Sequence, residues 1–146
     1  MSHKFSISEY VAPEDEKAVE DRLVAYNVAT FGKSDRKSLS ILLRDEAGDV
    51  EGGLIGHTAR GWLYVRLLFI PEHQRGQGLA PKLLALAEDE AKARGCIGAY
   101  LDTMNPQALN TYLRCGYAVN GSHGPMTGDL SITWLSKRFD GPEVIQ

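Results

Sequence analysis

The chain alternates between apolar runs and helical patterns, broken at regular intervals by turn residues. Phe5-Ser6-Ile7-Ser8-Glu9-Tyr10-Val11 places apolar and polar side chains in strict alternation, the period of a half-buried strand. Pro13 then opens a helix with Glu14, Asp15 and Glu16 at its positive end, and Val19, Leu23 and Tyr26 at the spacing of a buried stripe. Gly32 ends that helix or its continuation, and Lys33 to Lys37 reads as a polar loop. Leu39 to Arg44 and Val50 to Gly56 read as a hairpin around the turn Asp45-Glu46-Ala47-Gly48-Asp49. Gly52 and Gly53 in the return strand predict a bulge or a close approach of backbone. After the turn Ala59-Arg60-Gly61, Trp62 to Ile70 is almost wholly apolar, as a central strand buried on both faces is. Arg66 is the exception and points to a strand edge or a polar cleft.

The second half is patterned as clearly. Pro81 lies in the first turn of a helix whose buried face is Leu83, Leu84, Ala87 and Ala91 and which closes at Arg94-Gly95. Ile97 to Thr103 is a short strand, and Pro106 to Arg114 is a short helix stopped by Gly116. Tyr117-Ala118-Val119 opens a strand, Gly121 to Asp129 is rich in turn residues, and Ser131 to Leu135 closes by alternation. Asp140 to Gln146 reads as a frayed tail. Leading hairpins followed by a strand–helix–strand crossover predict an α/β fold. It has one mixed sheet of six or seven strands, flanked by helices in a single domain over residues 1–146.

Composition adds mainly exclusions. A chain of 146 residues with 43% hydrophobic and 24% charged residues can bury a substantial core. The net charge of −3 gives no basic surface for nucleic acid. No apolar run reaches the ~20 residues of a membrane helix, and Met1 to Phe5 lacks the apolar core of a secretory signal, so the expected location is the cytoplasm. Cys96 and Cys115 form no ligand-spaced cluster, so no metal site is expected and each thiol reads as structural. Asn120-Gly121-Ser122 reads as a turn.

The chemistry is concentrated in Gln74-Arg75-Gly76-Gln77-Gly78-Leu79-Ala80, between the central strand and a helix start. Glycines allow backbone to approach a ligand, and the first turn of a helix presents unpaired N–H groups, which together can seat a phosphate. A plain surface turn and a dinucleotide fingerprint compete with this. The latter needs a glycine where Pro81 stands. A third pattern, R-x-x-G-x-G/A, is met by Arg75, Gly78 and Ala80. It resembles the pyrophosphate loop of the GNAT superfamily of acyl-CoA-dependent N-acyltransferases. A second segment supports that resemblance. Asn105, Ala108, Tyr112, Gly116 and Tyr117 match the family's N-x-x-A-x-x-x-Y pattern with its following glycine and aromatic. The chain looks most like a bacterial subgroup with the segments Gly61-Trp62-Leu63, Arg75 to Leu79, Ala87 to Ala91 with Arg94-Gly95-Cys96, and Leu101-Asp102-Thr103. It departs from that subgroup at Met104-Asn105-Pro106 and in the loop Ser122 to Asp129.

The resemblance implies a cofactor and roles. Acetyl-CoA is the expected acyl donor, with pantetheine against the main chain near Leu68 and Ile70. Its pyrophosphate is expected on the loop Arg75, Gly76, Gln77, Gly78, Leu79 and Ala80, and Asn105 close by. Asn105 also reads as the cap of the helix opened by Pro106, and Arg75 as a surface charge able to approach a phosphate. Tyr112 is the expected general acid, with a core tyrosine as the plain alternative. The expected acceptor is a primary amine of a small molecule or protein. A non-catalytic acyl-CoA-binding module on the same fold is the functional alternative, and a homodimer is plausible for an enzyme of this kind. Glu72, His57 and Asp102 stand near strand ends as base candidates, none preferred, because ordered water can also carry the proton. Tyr26 and Asn27 are expected along one wall of the acceptor site.

Overall fold

The computed structural model describes residues 2–141, and contacts divide the chain into two compact units, 1–34 and 35–146. The first unit carries one helix, α1 (Pro13–Phe31), which starts at Pro13 and stops at Gly32 as the pattern predicts. Its apolar stripe is not buried: Val19, Leu23 and Tyr26 are 70%, 57% and 64% exposed. Helical spacing creates an apolar face but cannot supply the surface that covers it, and within its own unit α1 has no second element to pack on. The predicted strand Phe5–Val11 is also absent. Alternation makes a segment fit for a sheet, yet a strand exists only when a neighbouring backbone completes its ladder. Here Phe5 and Ile7 are exposed, and Ser8 Oγ donates locally to the Tyr10 carbonyl at 2.8 Å.

The second unit holds one six-stranded sheet in the order β1-β2-β3-β4-β6-β5. Its strands are β1 (Lys37–Arg44), β2 (Val50–Ala59), β3 (Trp62–Phe69), β4 (Gly98–Thr103), β5 (Ala118–His123) and β6 (Ile132–Arg138). A single 3-10 turn (Glu72–Gln74) and α2 (Leu79–Ala93) connect β3 to β4, and α3 (Pro106–Arg114) connects β4 to β5. The first hairpin turns where expected, with Asp45 Oδ1 accepting from the Asp49 amide at 2.9 Å. The second uses Arg60 and Gly61, both at positive φ (51° and 85°), the combination that matches strand twist in a two-residue loop. Asp35 fixes that loop by accepting from the Arg60 amide at 2.8 Å.

The β2 glycines answer a packing need. A Cβ on Gly52 would stand 2.6 Å from the Phe69 carbonyl oxygen, and one on Gly56 would overlap the Tyr64 carbonyl oxygen. A bulge follows from the β2–β3 register. Ile55 pairs with Leu67 and Gly56 with Val65, so Arg66 is the extra residue.

Only one sheet face is covered by helices of this unit. Leu39, Leu54, Leu63, Val65, Ala99, Leu101 and Leu135 form one buried cluster with Leu83, Leu84, Ala87 and Ala91 of α2 and Tyr112 of α3. The expectation that Trp62–Ile70 is buried on both faces is therefore corrected: Leu63 and Val65 are buried, whereas Arg66, Leu67 and Phe69 are exposed. Asn120-Gly121-Ser122 is likewise not a turn but part of β5, because β6 supplies ladder partners for Val119 and Gly121 and the chain absorbs Asn120 in a bulge. The β5 strand thus takes Gly121 to His123 from the expected loop. Of the predicted tail, residues 142–146 lie outside the described residues. No described helix is long and apolar enough to cross a membrane.

Candidate active site

The parallel pairing of β3 with β4 lasts three residues, Trp62 with Gly98, Leu63 with Ala99 and Tyr64 with Tyr100. Both strands continue beyond it, to Phe69 and Thr103, without a ladder between them. Main chain that would be satisfied by a neighbouring strand is left available on facing edges. A cleft of about 480 Å³ lies at this end of the sheet. It is lined by Leu68 and Ile70 from the end of β3, by the turn through Arg75, Gly76, Gly78, Leu79 and Ala80, and by Asn105 and Tyr112. The residues singled out in sequence are thus brought to one place, except that Gln77 is not among the lining residues. Gln107, Thr111 and Arg114 of α3 also line the cleft.

The turn leaves an open and uncapped helix start. Gly76 and Gly78 have φ of +82° and +73°, where other residues are strained, and a Cβ on either would meet no heavy atom within 4 Å. Their need is conformational, and the space beside them is open. Gly78 is the N-cap of α2, so no side chain caps the helix, and its first turn carries no acidic residue. By contrast, α1 fills its first turn with Glu14, Asp15 and Glu16. The leading N–H groups of α2 and the positive end of its dipole are therefore left for a ligand. Arg75 is held back against the strand: its Nε donates to the Ile70 carbonyl at 3.0 Å, and its guanidinium carbon lies 5.8 Å from the centre of the Phe69 ring. These features fit a pyrophosphate and an extended pantetheine arm.

Tyr112 closes the other side. It is 7% exposed. Burial first, then the nearby Cys115 and Asp102, pushes its phenol above the ordinary tyrosine value, so it carries its proton at neutral pH. Asn105 caps α3, its Oδ1 accepting from the Gln107 amide at 2.8 Å, as its position before Pro106 predicts. The same residue reaches the cleft, so capping and lining coincide.

The base candidates separate. Glu72 is exposed in the 3-10 turn outside the lining residues. His57 and Asp102 join a cluster that the sequence does not announce. Tyr64 Oη donates to Asp102 Oδ1 at 3.2 Å. The Tyr64 and Tyr100 rings stack at 4.9 Å with 19° between planes, and the His57 ring meets Tyr64 edge-on at 5.7 Å. Burial, then the charges of Arg36 and Arg66, lowers the His57 pKa. Alternate positions 62, 64, 66 and 100, 102 carry the signal, but it becomes legible only once β3 and β4 are known to be neighbours. Tyr26 and Asn27 belong to the first unit, in α1.

The Acetyltransferase (GNAT) family matches residues 5–117. The chain belongs to the GNAT family. Among its relatives is Acetyltransferase Atu2258 of Agrobacterium fabrum, 61% identical over 135 residues, covering 92% of this chain and 98% of the relative. The crystal structure of an acetyltransferase from Agrobacterium tumefaciens superposes with a TM-score of 0.92 at 60% identity, over 94% of this chain and all (100%) of that one. Blasticidin-S acetyltransferase of Streptomyces morookaense is 42% identical over 78 residues, 53% of this chain and 57% of that protein. The protein is an acetyl-CoA-dependent acetyltransferase on a mixed α/β GNAT fold. Of the rival readings of the glycine turn, these matches favour the acyltransferase over the dinucleotide one.

Proposed function

We propose that the protein transfers an acetyl group directly from acetyl-CoA to a primary amine of a small molecule or protein, within one catalytic domain spanning both units. The observation that carries this reading is the uncapped, acid-free start of α2 opening into the same cleft as the buried, protonated Tyr112. The amides and open space of the loop Arg75 to Ala80, Gln77 included, would hold the pyrophosphate, with Leu68, Ile70 and Asn105 beside the pantetheine arm. When bound, acetyl-CoA supplies an activated thioester whose transfer to an amine leaves a thiolate. Tyr112 holds a proton at Oη and donates it to that sulfur. A β3 main-chain N–H polarises the carbonyl, and preorganised donors of this kind give large effects in a water-poor site. No covalent link to the protein is needed, and the proton that the attacking amine gives up passes through water to solvent. The name of the Streptomyces relative, an acetyltransferase of blasticidin S, supports a small-molecule acceptor.

The test is calorimetric titration with acetyl-CoA of the native protein, Gly78→Ala and Gly78→Glu. Alanine tests the cost of the left-handed backbone alone, roughly 1–2 kcal/mol, and glutamate adds an anion where the pyrophosphate would sit. Binding by native protein, retained in part by the alanine variant and lost in the glutamate variant, is expected. Equal affinity in native and Gly78→Glu protein would move the pyrophosphate elsewhere.

The free thiols Cys96 and Cys115 suit a reducing cytoplasm. The edge strand β5, exposed along its length, suits pairing with a second copy. Light scattering on the eluted native protein checks the dimer, and a monomer mass at high protein concentration would exclude it.

A further inference from the structure

The cluster on the sheet face away from α2 and α3 has a charge arrangement that packing does not explain. Leu63 and Val65 of β3, and Ala99 and Leu101 of β4, enter the core. Strand alternation therefore sends Tyr64, Tyr100 and Asp102 to the opposite face. Tyr64 and Tyr100 form the last rung of the β3–β4 ladder, so the cluster stands where the two strands part. Asp102 is held there by Tyr64 Oη at 3.2 Å.

Arg66 completes the arrangement. It is the extra residue of the β2–β3 bulge, and bulges re-aim a side chain. It is exposed in mid-strand, and among the described residues no carboxylate lies within ion-pair distance of it. Its charge is nevertheless felt at both His57 and Tyr64. The fold thus brings a carboxylate and a guanidinium to act on the same Tyr64 without an ion pair between them. An apolar strand does not need that arginine, and a surface charge set out for solvent does not need a bulge and a stacked aromatic floor.

We propose that this face seats the acetyl acceptor, and that the acceptor is an amine that also carries a carboxylate, as an α-amino acid does. The carboxylate lies on Arg66, whose planar fork can bind it through two hydrogen bonds. The amine lies on the Asp102 side, above the stacked rings of Tyr64 and Tyr100, next to the parting of the strands. His57, kept neutral at pH 7 by burial and by Arg36 and Arg66, adds no charge to repel the amine. This assignment rests on the amine-acetyltransferase reading above and narrows its substrate class.

The experiment measures thiol release from acetyl-CoA with each standard α-amino acid and with its carboxamide, which keeps the amine and side chain but loses the negative charge. Native protein is compared with Arg66→Gln and Arg66→Lys, and acetyl-CoA affinity is measured in parallel. At least one amino acid should be acetylated with kcat/KM ten or more times that of its amide. Arg66→Gln should lower kcat/KM for the acid about 10–100-fold, mainly through KM, the range expected for a charged hydrogen-bonded contact. The amide should lose much less than the acid, acetyl-CoA affinity should be unchanged, and Arg66→Lys should recover part of the loss. Equal use of acid and amide by native protein would overturn the assignment, and this comparison decides even where a variant does not fold. Transfer only to amines that lack a carboxylate would overturn it too. Acetyl-CoA binding with no transfer to any amine would overturn the acceptor reading on which it rests, and absent acetyl-CoA binding would overturn the cleft reading instead.

Discussion

Tyr117 Oη donates to Glu88 Oε2 at 2.9 Å, across 29 residues of sequence and inside the core. Glu88 is 5% exposed, a costly place for a carboxylate unless its oxygens are satisfied. Its other oxygen accepts from Lys137 Nζ at 2.8 Å, and the same ammonium donates to the Cys115 carbonyl at 2.9 Å. The network ties the middle of α2 to the end of α3 and to β6. It also fixes the residues just after Tyr112, whose carbonyl accepts from the Tyr117 amide at 3.1 Å. Tyr117→Phe removes one donor to a buried charge and should cost about 1.5–3 kcal/mol, read from urea unfolding. A change of a few tenths would mean that Glu88 recovers a partner elsewhere.

The same phenol makes stability depend on alkaline pH. Burial, and then the charge of Glu88, pushes Tyr117 far above the ordinary 10.0. Above pH ~10 the unfolded chain releases this proton and the folded chain keeps it. The folded state then binds more protons, so stability falls as pH rises, by up to about 1.4 kcal/mol per pH unit. The contribution is complete below that pH and is lost above it. Unfolding midpoints from pH 8 to 11 should fall more steeply for native protein than for Tyr117→Phe. Tyr112 and Tyr64, also shifted upward, should leave the variant some slope. Parallel curves would remove Tyr117 as the source.

Those parts of the molecule whose geometry is set by neighbours in sequence are legible in the sequence alone. Asn105 before Pro106 predicts the cap of α3, and Arg94-Gly95 predicts the end of α2; both are found. Gly76 and Gly78 predict a turn needing positive φ, and both have it. The glycine turn through Arg75 and Gly78 is legible from its residues as an anion seat, but that Leu68, Asn105 and Tyr112 share its cleft is legible only through the resemblance, since the short β3–β4 ladder that opens the sheet leaves no mark in composition. What failed depends on partners distant in sequence. Phe5–Val11 has a strand's alternation but no ladder partner, and Val19, Leu23 and Tyr26 have a helical stripe but no cover in their unit. Asn120-Gly121-Ser122 has turn composition but lies beside β6. Arg66 was visible as an anomaly, yet its placement depends on a one-residue slip between β2 and β3.

Arg94 does more than close a helix. Its Nη1 donates to the carbonyls of Lys37 and Ser38 at 3.2 and 3.1 Å and to Thr58 Oγ1 at 3.1 Å, while Nε donates to Glu90 Oε1 at 3.0 Å. One guanidinium thus joins the end of α2 to the start of β1 and the end of β2. A lysine has three donors on one atom and cannot keep the Nη1 contacts and the Nε contact together. Arg94→Met should lose about 1.5–3 kcal/mol in thermal or urea unfolding, and Arg94→Lys should recover only part of it. Full rescue by lysine would show that positive charge near the helix end is what matters.

Tyr112 stands at the meeting of the two lines of argument, the buried phenol and the cleft. If it only packs, replacing it with phenylalanine keeps the ring in the core and removes one hydroxyl. Turnover and acetyl-CoA affinity would then both stay near native values. If it delivers the proton to the departing sulfur, Tyr112→Phe should leave acetyl-CoA affinity within about twofold and lower kcat roughly 10²–10⁴-fold, the usual weight of a positioned general acid. Because its phenol is shifted upward by burial, the alkaline fall in rate that its ionisation would cause should lie above the ordinary tyrosine value of 10.0 in native protein. The variant should depend more steeply on leaving-group basicity than native protein across thioesters of different thiol pKa, because a sulfur that receives no proton must leave as the free thiolate. Unchanged kcat in a variant of native stability would assign Tyr112 to the core and leave the proton to water.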